Sequence, residues 1–278
     1  MSTIVLMGAG GKAGYRVARN IKDNPNYTTF YVEISQLGRA RLAELGLSVT
    51  PQDEVLEKAE VVILAVPDAL IGEISKEIVP KLRSGTIVMT LDPAAAYAGV
   101  LPEREDITYF ITHPCHPPLF HDETDPEAKQ DWFGGVKAKQ SIVCALHHGP
   151  EEDYAKAEAI ARAIWAPVMR AHRVTTEQMA ILEPALTETL GSACIAVLRE
   201  GMEEAIRMGV PEPAAREFFF GHLRTGIAII FDIADFPMSD GAKLVLNKAK
   251  KQIFKPDWKK VMSIESLQRS VKAIVGAR

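Results

Sequence analysis

An apolar run that leads straight into Gly8-Ala9-Gly10-Gly11-Lys12-Ala13-Gly14 leaves this chain few folds to adopt. Residues 3–7 read as a buried strand, and the residues after the loop read as a helix to about Ile21. Strand, glycine turn and helix start together bring backbone N–H groups to where a pyrophosphate can rest. The loop fits G-x-G-x-x-A with Ala13 in third place, and equally G-x-x-G-x-x-G ending on Gly14. Either register gives Gly8, Ala9, Gly10, Gly11, Lys12 and Ala13 to a dinucleotide. A glycine fingerprint alone is weak, but here the context agrees with it. Glu33 closes the second strand, nineteen positions beyond Gly14. Its carboxylate suits two ribose hydroxyls and repels a 2′-phosphate, so the expected cofactor is NAD rather than NADP. Arg39 and Arg41 lie just beyond and pull the other way.

Further strands are expected at residues 28–34, 61–66, 86–91, 107–111 and 143–146. Continuous apolar strands alternating with helices indicate a parallel sheet covered on both faces. The fold class expected is therefore α/β, a doubly wound Rossmann sheet followed by an all-α domain. The change of pattern after Arg173 puts the NAD-binding domain at 1–172 and a helical substrate-binding and dimerisation domain at 173–278. Thr175 and Gln178 form a capping-box pattern that opens a helix, and Gly209-Val210-Pro211 closes it. Pro184 lies inside and should kink it. The next helix carries Phe218-Phe219-Phe220 and an apolar run at 227–231, apolar almost all round, so a homodimer with interlocked helices is expected. The basic stretch 243–251 reads as a solvated helix face.

Composition narrows the partners. At 278 residues with 47% hydrophobic, the chain can build two cores. Its net charge of −4 and the lack of a Lys/Arg run speak against nucleic acid or an anionic membrane. Apolar runs are strand-length, short of the roughly 20 residues of a membrane span. No leader pattern opens the chain, and Cys115, Cys144 and Cys194 are scattered, so a cytoplasmic location is expected.

Two loops at strand ends should flank the cofactor: Ala65-Val66-Pro67-Asp68, and the turn holding Asp92. Thr112-His113-Pro114-Cys115-His116-Pro117-Pro118 follows the next strand. Proline after each histidine favours extended backbone, which suits a rigid site loop. A neutral imidazole there can take a hydroxyl proton or bind a metal. Glu183 and Glu188 follow in the helix. Five α-helical positions turn by about 140°, so an unkinked α-helix cannot aim both carboxylates at one point. His222 and Arg224 are candidates for a substrate carboxylate.

The residues 198–211, with the glycine loop and Glu33, resemble the 6-phosphogluconate dehydrogenase and ketol-acid reductoisomerase superfamily. Two departures stand out. The β-hydroxyacid dehydrogenases carry a lysine where this chain has Glu183-Pro184. Ketol-acid reductoisomerases carry an Asp and a Glu four apart there, with a second acidic pair on the next helix; here Phe220-Gly221-His222-Leu223-Arg224-Thr225 stands instead. The GAGGKAG loop, Tyr31-Val32-Glu33, THPCHPP and EPALTETLG are more closely similar to the D-apionate oxidoisomerases. That resemblance implies oxidation of a branched sugar acid by NAD, coupled to migration of a carbon group: D-apionate to 3-oxo-isoapionate. On the residues themselves, His113 or His116 is expected to take the hydroxyl proton and Glu188 to act with them as catalytic, with His222, Arg224 and Glu183 expected to bind substrate. The resemblance further allows one divalent cation (Mg), held by His116 and Glu188. The alternatives are a sugar-acid dehydrogenase without rearrangement and an NAD-sensing regulator without turnover.

Overall fold

The computed structural model describes residues 1–276. The chain divides into two compact units: Met1–Glu183 together with the segment beginning at Gln268, and Pro184–Leu267. The contact division thus falls eleven residues later than the change in sequence pattern, and the chain's last described helix crosses back into the first unit.

In the first unit the glycine-loop strand β1 (Ser2–Met7) leads to α1 (Lys12–Ile21). There follow β2 (Tyr27–Val32), α2 (Gln36–Glu44), β3 (Val61–Leu64), α3 (Asp68–Ile78), β4 (Ile87–Thr90), α4 (Ala94–Tyr97) and β5 (Thr108–Pro114). A long connection containing α5 (Pro126–Gln130) reaches β6 (Gln140–His148), then α6 (Asp153–Ile164) and β7 (Val168–Arg173). All seven strands form one sheet, ordered β2-β1-β3-β4-β5-β6-β7. The pairs from β2 to β5 are parallel, β6 runs antiparallel to β5, and β7 is parallel to β6.

Alternation within the strands explains why both faces are covered. Ile4 and Leu6 enter a core with Val17, Ile21, Phe110 and Ile160. Val5 and Met7 point the other way, among Val62, Leu64, Ile71 and Val88. Two apolar faces on one strand require helices on both sides. The strand β7 was not expected from sequence. It is an edge strand whose side chains are partly or fully exposed, with Arg170, His172 and Arg173 among them, so it carries little of the alternating signal.

The second unit is helical. The helix begins as α7 (Thr176–Ala180), passes through a π segment (Ile181–Gly191) and continues as α8 (Ser192–Arg207). It is followed by α9 (Glu212–Ile230), α10 (Asp240–Ile253) and α11 (Ile264–Ile274). The capping box at Thr175 and Gln178 is formed. Pro184 widens the helix instead of ending it. Proline lacks a donor and crowds the carbonyl four residues back, and a looser turn relieves both. Side chains serve two of the carbonyls here: Thr189 Oγ1 donates to Pro184 O (2.7 Å) and Ser192 Oγ to Thr187 O (3.1 Å). Thr176–Arg207 also has an 18-residue window of mean hydropathy 1.4, membrane-like by length and composition, which the strand-length reading of the apolar runs had not foreseen.

Candidate functional site

The open end of the sheet is built around β1, which sits between β2 and β3. Strand order reverses there, and in open α/β sheets ligands bind outside the strand ends at such a switch point. Gly8 turns the chain at φ +70, and a Cβ on it would lie 2.5 Å from the Ala65 carbonyl oxygen. A Cβ on Gly14 would lie 2.1 Å from Gly8 O. Gly14, rather than Ala13, is therefore the glycine that lets helix and strand close up. Gly11 starts α1 without any side-chain cap, as an anion-binding helix start requires.

Glu33 is 7% exposed, and its carboxylate is more engaged than sequence indicated. Gly10 N donates to Oε2 and Ser35 N to Oε1, each at 2.8 Å. Burial pushes the carboxyl up, but these backbone bonds outweigh it and hold the group below its usual range. Each oxygen keeps a second lone pair for a sugar hydroxyl. Gly38 is a site-shaping residue that sequence reasoning passed over. A Cβ there would lie 2.4 Å from Glu33 Cδ, and a Cβ on Gly10 would lie 2.3 Å from Gly38 Cα. Glycine loop, Glu33 and the first turn of α2 are thus one close-packed object. The signal was Ser35 three residues earlier: it caps α2 by accepting from Gly38 N. Of the two arginines, Arg39 donates to Glu33 O and Arg41 to Gly10 O, so both brace backbone.

A cavity of about 390 Å³ opens beside this loop. Gly8, Gly11 and Glu33 line it along with Val66, Leu70 and Ile74. Its apolar wall suits a flat heteroaromatic ring, and Leu70 and Ile74 were not singled out from sequence. Ala65, Val66 and Pro67 line it as expected, while Pro67 and Asp68 start α3. Asp92 sits half-buried in its turn, accepting from Ala94 N at 2.7 Å. Lys12 opens α1 with its ammonium 4.4 Å from the centre of the Phe133 ring.

His113 lies within β5 rather than in a loop after it. Its Nδ1 is 2.8 Å from Leu91 O. A carbonyl only accepts, so Nδ1 carries the proton and Nε2 the lone pair. That Nε2 is 4.0 Å from Glu183 Oε1. Burial lowers the imidazole pKa, overcoming the Leu91 bond and the Asp92 charge, so the ring is neutral at pH 7. His116 repeats the arrangement with a different partner: Nδ1 is 2.8 Å from Phe133 O. The two imidazoles meet edge to face at 6.2 Å. The proline rule did not extend His116, whose φ is +60. Left-handed backbone in a non-glycine residue is sparsely populated and marks functional sites.

Glu183 and Glu188 both fall in the π segment. Bonding from i to i+5 stacks residues five apart, so the spacing that an α-helix would splay is brought towards one face here. His222 and Arg224 are exposed on α9, with His222 stacked on Phe218 at 4.0 Å. Among the described residues no three His, Cys, Asp or Glu side chains converge on a possible ion position.

Sheet order, glycine turn, buried acid and paired histidines define the class: a Rossmann-domain oxidoreductase with a helical second unit. Family models agree in both halves. The acetohydroxy acid isomeroreductase NADPH-binding domain matches residues 1–118, and the C-terminal domain of decarboxylating phosphogluconate dehydrogenase matches residues 121–275. The chain belongs to the D-apionate oxidoisomerase family. It is 50% identical over 275 residues to the D-apionate oxidoisomerase of Rhizobium rhizogenes, covering 99% of this chain and all of that one. The enzyme of that name from Cupriavidus necator is 48% identical over 98% of each chain. A crystal structure from Cupriavidus necator, described as a semialdehyde dehydrogenase NAD-binding protein in complex with calcium and NAD, superposes with a TM-score of 0.96. It is 47% identical, over 99% of each chain.

Proposed function

We propose that this enzyme oxidises D-apionate with NAD and shifts a carbon group in the same site, giving 3-oxo-isoapionate. The single observation that carries the reading is the pair of adjacent imidazoles, each with Nδ1 bound to a backbone carbonyl so that Nε2 is turned to the substrate. An oxidation coupled to migration has two hydroxyl protons to handle. One leaves the carbinol that is oxidised. The other leaves the neighbouring tertiary alcohol as its carbon group moves to the new carbonyl, which becomes a hydroxyl while the alcohol becomes a ketone. A plain dehydrogenase needs one base; two adjacent ones favour the coupled reaction. The name of the relatives supports this substrate over an unrearranged sugar acid.

NAD, when bound, accepts the hydride. This chain's residues do the rest. Gly8, Ala9, Gly10 and Gly11 turn the backbone so that its amides face the pyrophosphate, and Lys12 and Ala13 continue that contact into α1. Glu33 takes the adenosine ribose hydroxyls on its remaining lone pairs and disfavours a 2′-phosphate, although the matching family model is of an NADPH-binding domain. Ala65, Val66, Pro67, Asp68 and Asp92 border the dinucleotide. His113 Nε2 and His116 Nε2 hold the two hydroxyl protons, Glu183 sets the charge beside His113, and Glu188 orients the substrate from the same helical segment. His222 and Arg224 bind carboxylate. The Cupriavidus structure is described as a complex with calcium as well as NAD, and a divalent cation beside His116 and Glu188 would polarise the substrate's hydroxy-carboxylate.

The functional molecule is a homodimer, with helical units covering one another. In α8 and α9 only Met202 and Ala215 are buried, while Phe218 is 69% exposed and Ile195 67%. Apolar surface on that scale marks an interface. The same surface accounts for the membrane-like composition of Thr176–Arg207, a helix that also carries Glu183 and Glu188.

The test is to supply D-apionate and NAD and to identify the product by carbon-13 NMR. A rearranged skeleton formed one-for-one with NADH is expected. An unrearranged ketone beside NADH would remove the isomerase half and leave a dehydrogenase.

A further inference from the structure

Between β5 and β6 the chain leaves the sheet for residues 115–139, a connection with only α5 as regular structure. Long irregular connections in compact units are uncommon and need something to hold them. Asp131 closes the turn from inside: its Oδ2 accepts from Val136 N, Lys137 N and Ala138 N at 2.9, 3.0 and 3.1 Å. The outer fastening is to α1, where Arg19 Nη2 donates to Gly135 O at 2.7 Å. Phe133 lies at the tip and is 48% exposed.

What converges on Phe133 is more than a loop anchor needs. Its carbonyl oxygen accepts from Arg16 Nη2 at 3.1 Å and from His116 Nδ1 at 2.8 Å. Its ring meets the His116 ring edge-on at 5.9 Å. Over the ring stand two cations from one helix, Lys12 Nζ at 4.4 Å and Arg16 Cζ at 5.4 Å from the centre. Each cation is drawn to the negative face of the ring and so holds it against α1. Lys12 is the first residue of the helix that the glycine loop opens. His116 has the left-handed backbone that the surroundings must enforce.

We infer that Phe133 is a positioning residue for His116, tying the imidazole to the glycine-loop helix. Its carbonyl fixes the proton on Nδ1 and so keeps Nε2 as the accepting nitrogen. Its ring, held under Lys12 and Arg16, keeps that carbonyl in place. The inference rests on the reading of His116 as a base of the site. It makes the connection between β5 and β6 part of the catalytic apparatus.

The experiment uses the full-length enzyme with ring-nitrogen-labelled histidine, in wild type, Phe133→Leu and Phe133→Tyr. Wild-type His116 should give the NMR pattern of a single Nδ1–H tautomer. Phe133→Leu keeps bulk but loses the cation contacts. It should give a tautomer mixture and a kcat lower by about tenfold or more, because small displacements of a reacting group are costly. Its KM for NAD should change by less than about threefold, since the phosphate amides are untouched. Phe133→Tyr keeps an aromatic face and should restore both. A thermal melt checks that each variant is folded. Both readings must move together: an unchanged tautomer, or an unchanged kcat, in folded Phe133→Leu overturns the inference. His116→Gln separates the two claims. Wild-type turnover in that variant would sink the role of His116 itself, while the tautomer spectra still judge whether Phe133 positions the ring.

Discussion

The residue that couples cofactor choice to loop shape is Glu33. Its two oxygens hold Gly10 N and Ser35 N, so the carboxylate that is proposed to select the sugar also braces the glycine turn. Glu33→Ala should weaken NADH binding and narrow or invert the preference over NADPH. It should also destabilise the protein, because two N–H groups lose their acceptor at about 1–3 kcal/mol each when buried. Paired NADH and NADPH titrations with a thermal melt check both. Gly38→Ala should do similar damage from the opposite side, since its methyl would press into Glu33 at 2.4 Å; a cost of about 1–3 kcal/mol is expected. For His113, burial depresses the folded-state pKa below the ordinary 6.5. The contribution to stability is therefore complete above about pH 6.5 and is lost as pH falls from there towards the folded value. His113→Gln should flatten that part of the stability–pH curve and abolish turnover. A slope unchanged in His113→Gln would assign the effect to another group. Glycine loop and acid were legible as a linear pattern because local turn chemistry dictates them. Gly38 was not, because its constraint is a contact across 28 residues of sequence with Gly10.

At the scale of elements, the π segment is where linear reasoning fell shortest. Sequence marked Pro184 as a disruption, and the chain answers it by widening the helix over Ile181–Gly191. The five-residue spacing of Glu183 and Glu188 lies closer to one face in an i to i+5 helix than in an α-helix. Pro184→Ala should let this stretch tighten towards an α-helix. Proline costs about 3 kcal/mol in a helix interior, so the variant should melt no lower, and higher if the turn relaxes. Its kcat should nevertheless fall, because tightening turns one carboxylate away. Melting temperature and turnover measured on the same preparation test this; wild-type kcat in a more stable variant would deny the segment a catalytic role. The strand β7 and the left-handed His116 escaped sequence reading for different reasons. An edge strand rich in Arg and His hides its alternation, and a backbone twist enforced by the Phe133 turn leaves no local mark.

For the whole molecule, the contrast between the two units is the main fact. The first unit buries both faces of its sheet, as the continuous apolar strands required. The second leaves Phe218, Phe220 and Phe231 at 69%, 54% and 71% exposure, which a stable isolated unit would not tolerate. The apolar helix pattern was plain in sequence; in the proposed dimer a second copy covers it. Sedimentation should give a dimer at micromolar concentration, and Phe218→Asp should shift it to monomer with loss of activity. A fully active monomer would contradict the covering of these helices by a second copy.

The proposed chemistry depends on a dinucleotide seated against the glycine turn with its adenosine ribose on Glu33. Calorimetric titration of the purified enzyme with NADH tests this most directly, with NADPH as the comparison. One site per chain, filled at micromolar NADH and at least about tenfold more weakly by NADPH, is the expected result. No heat of binding with NADH, or tighter binding of NADPH, would contradict it.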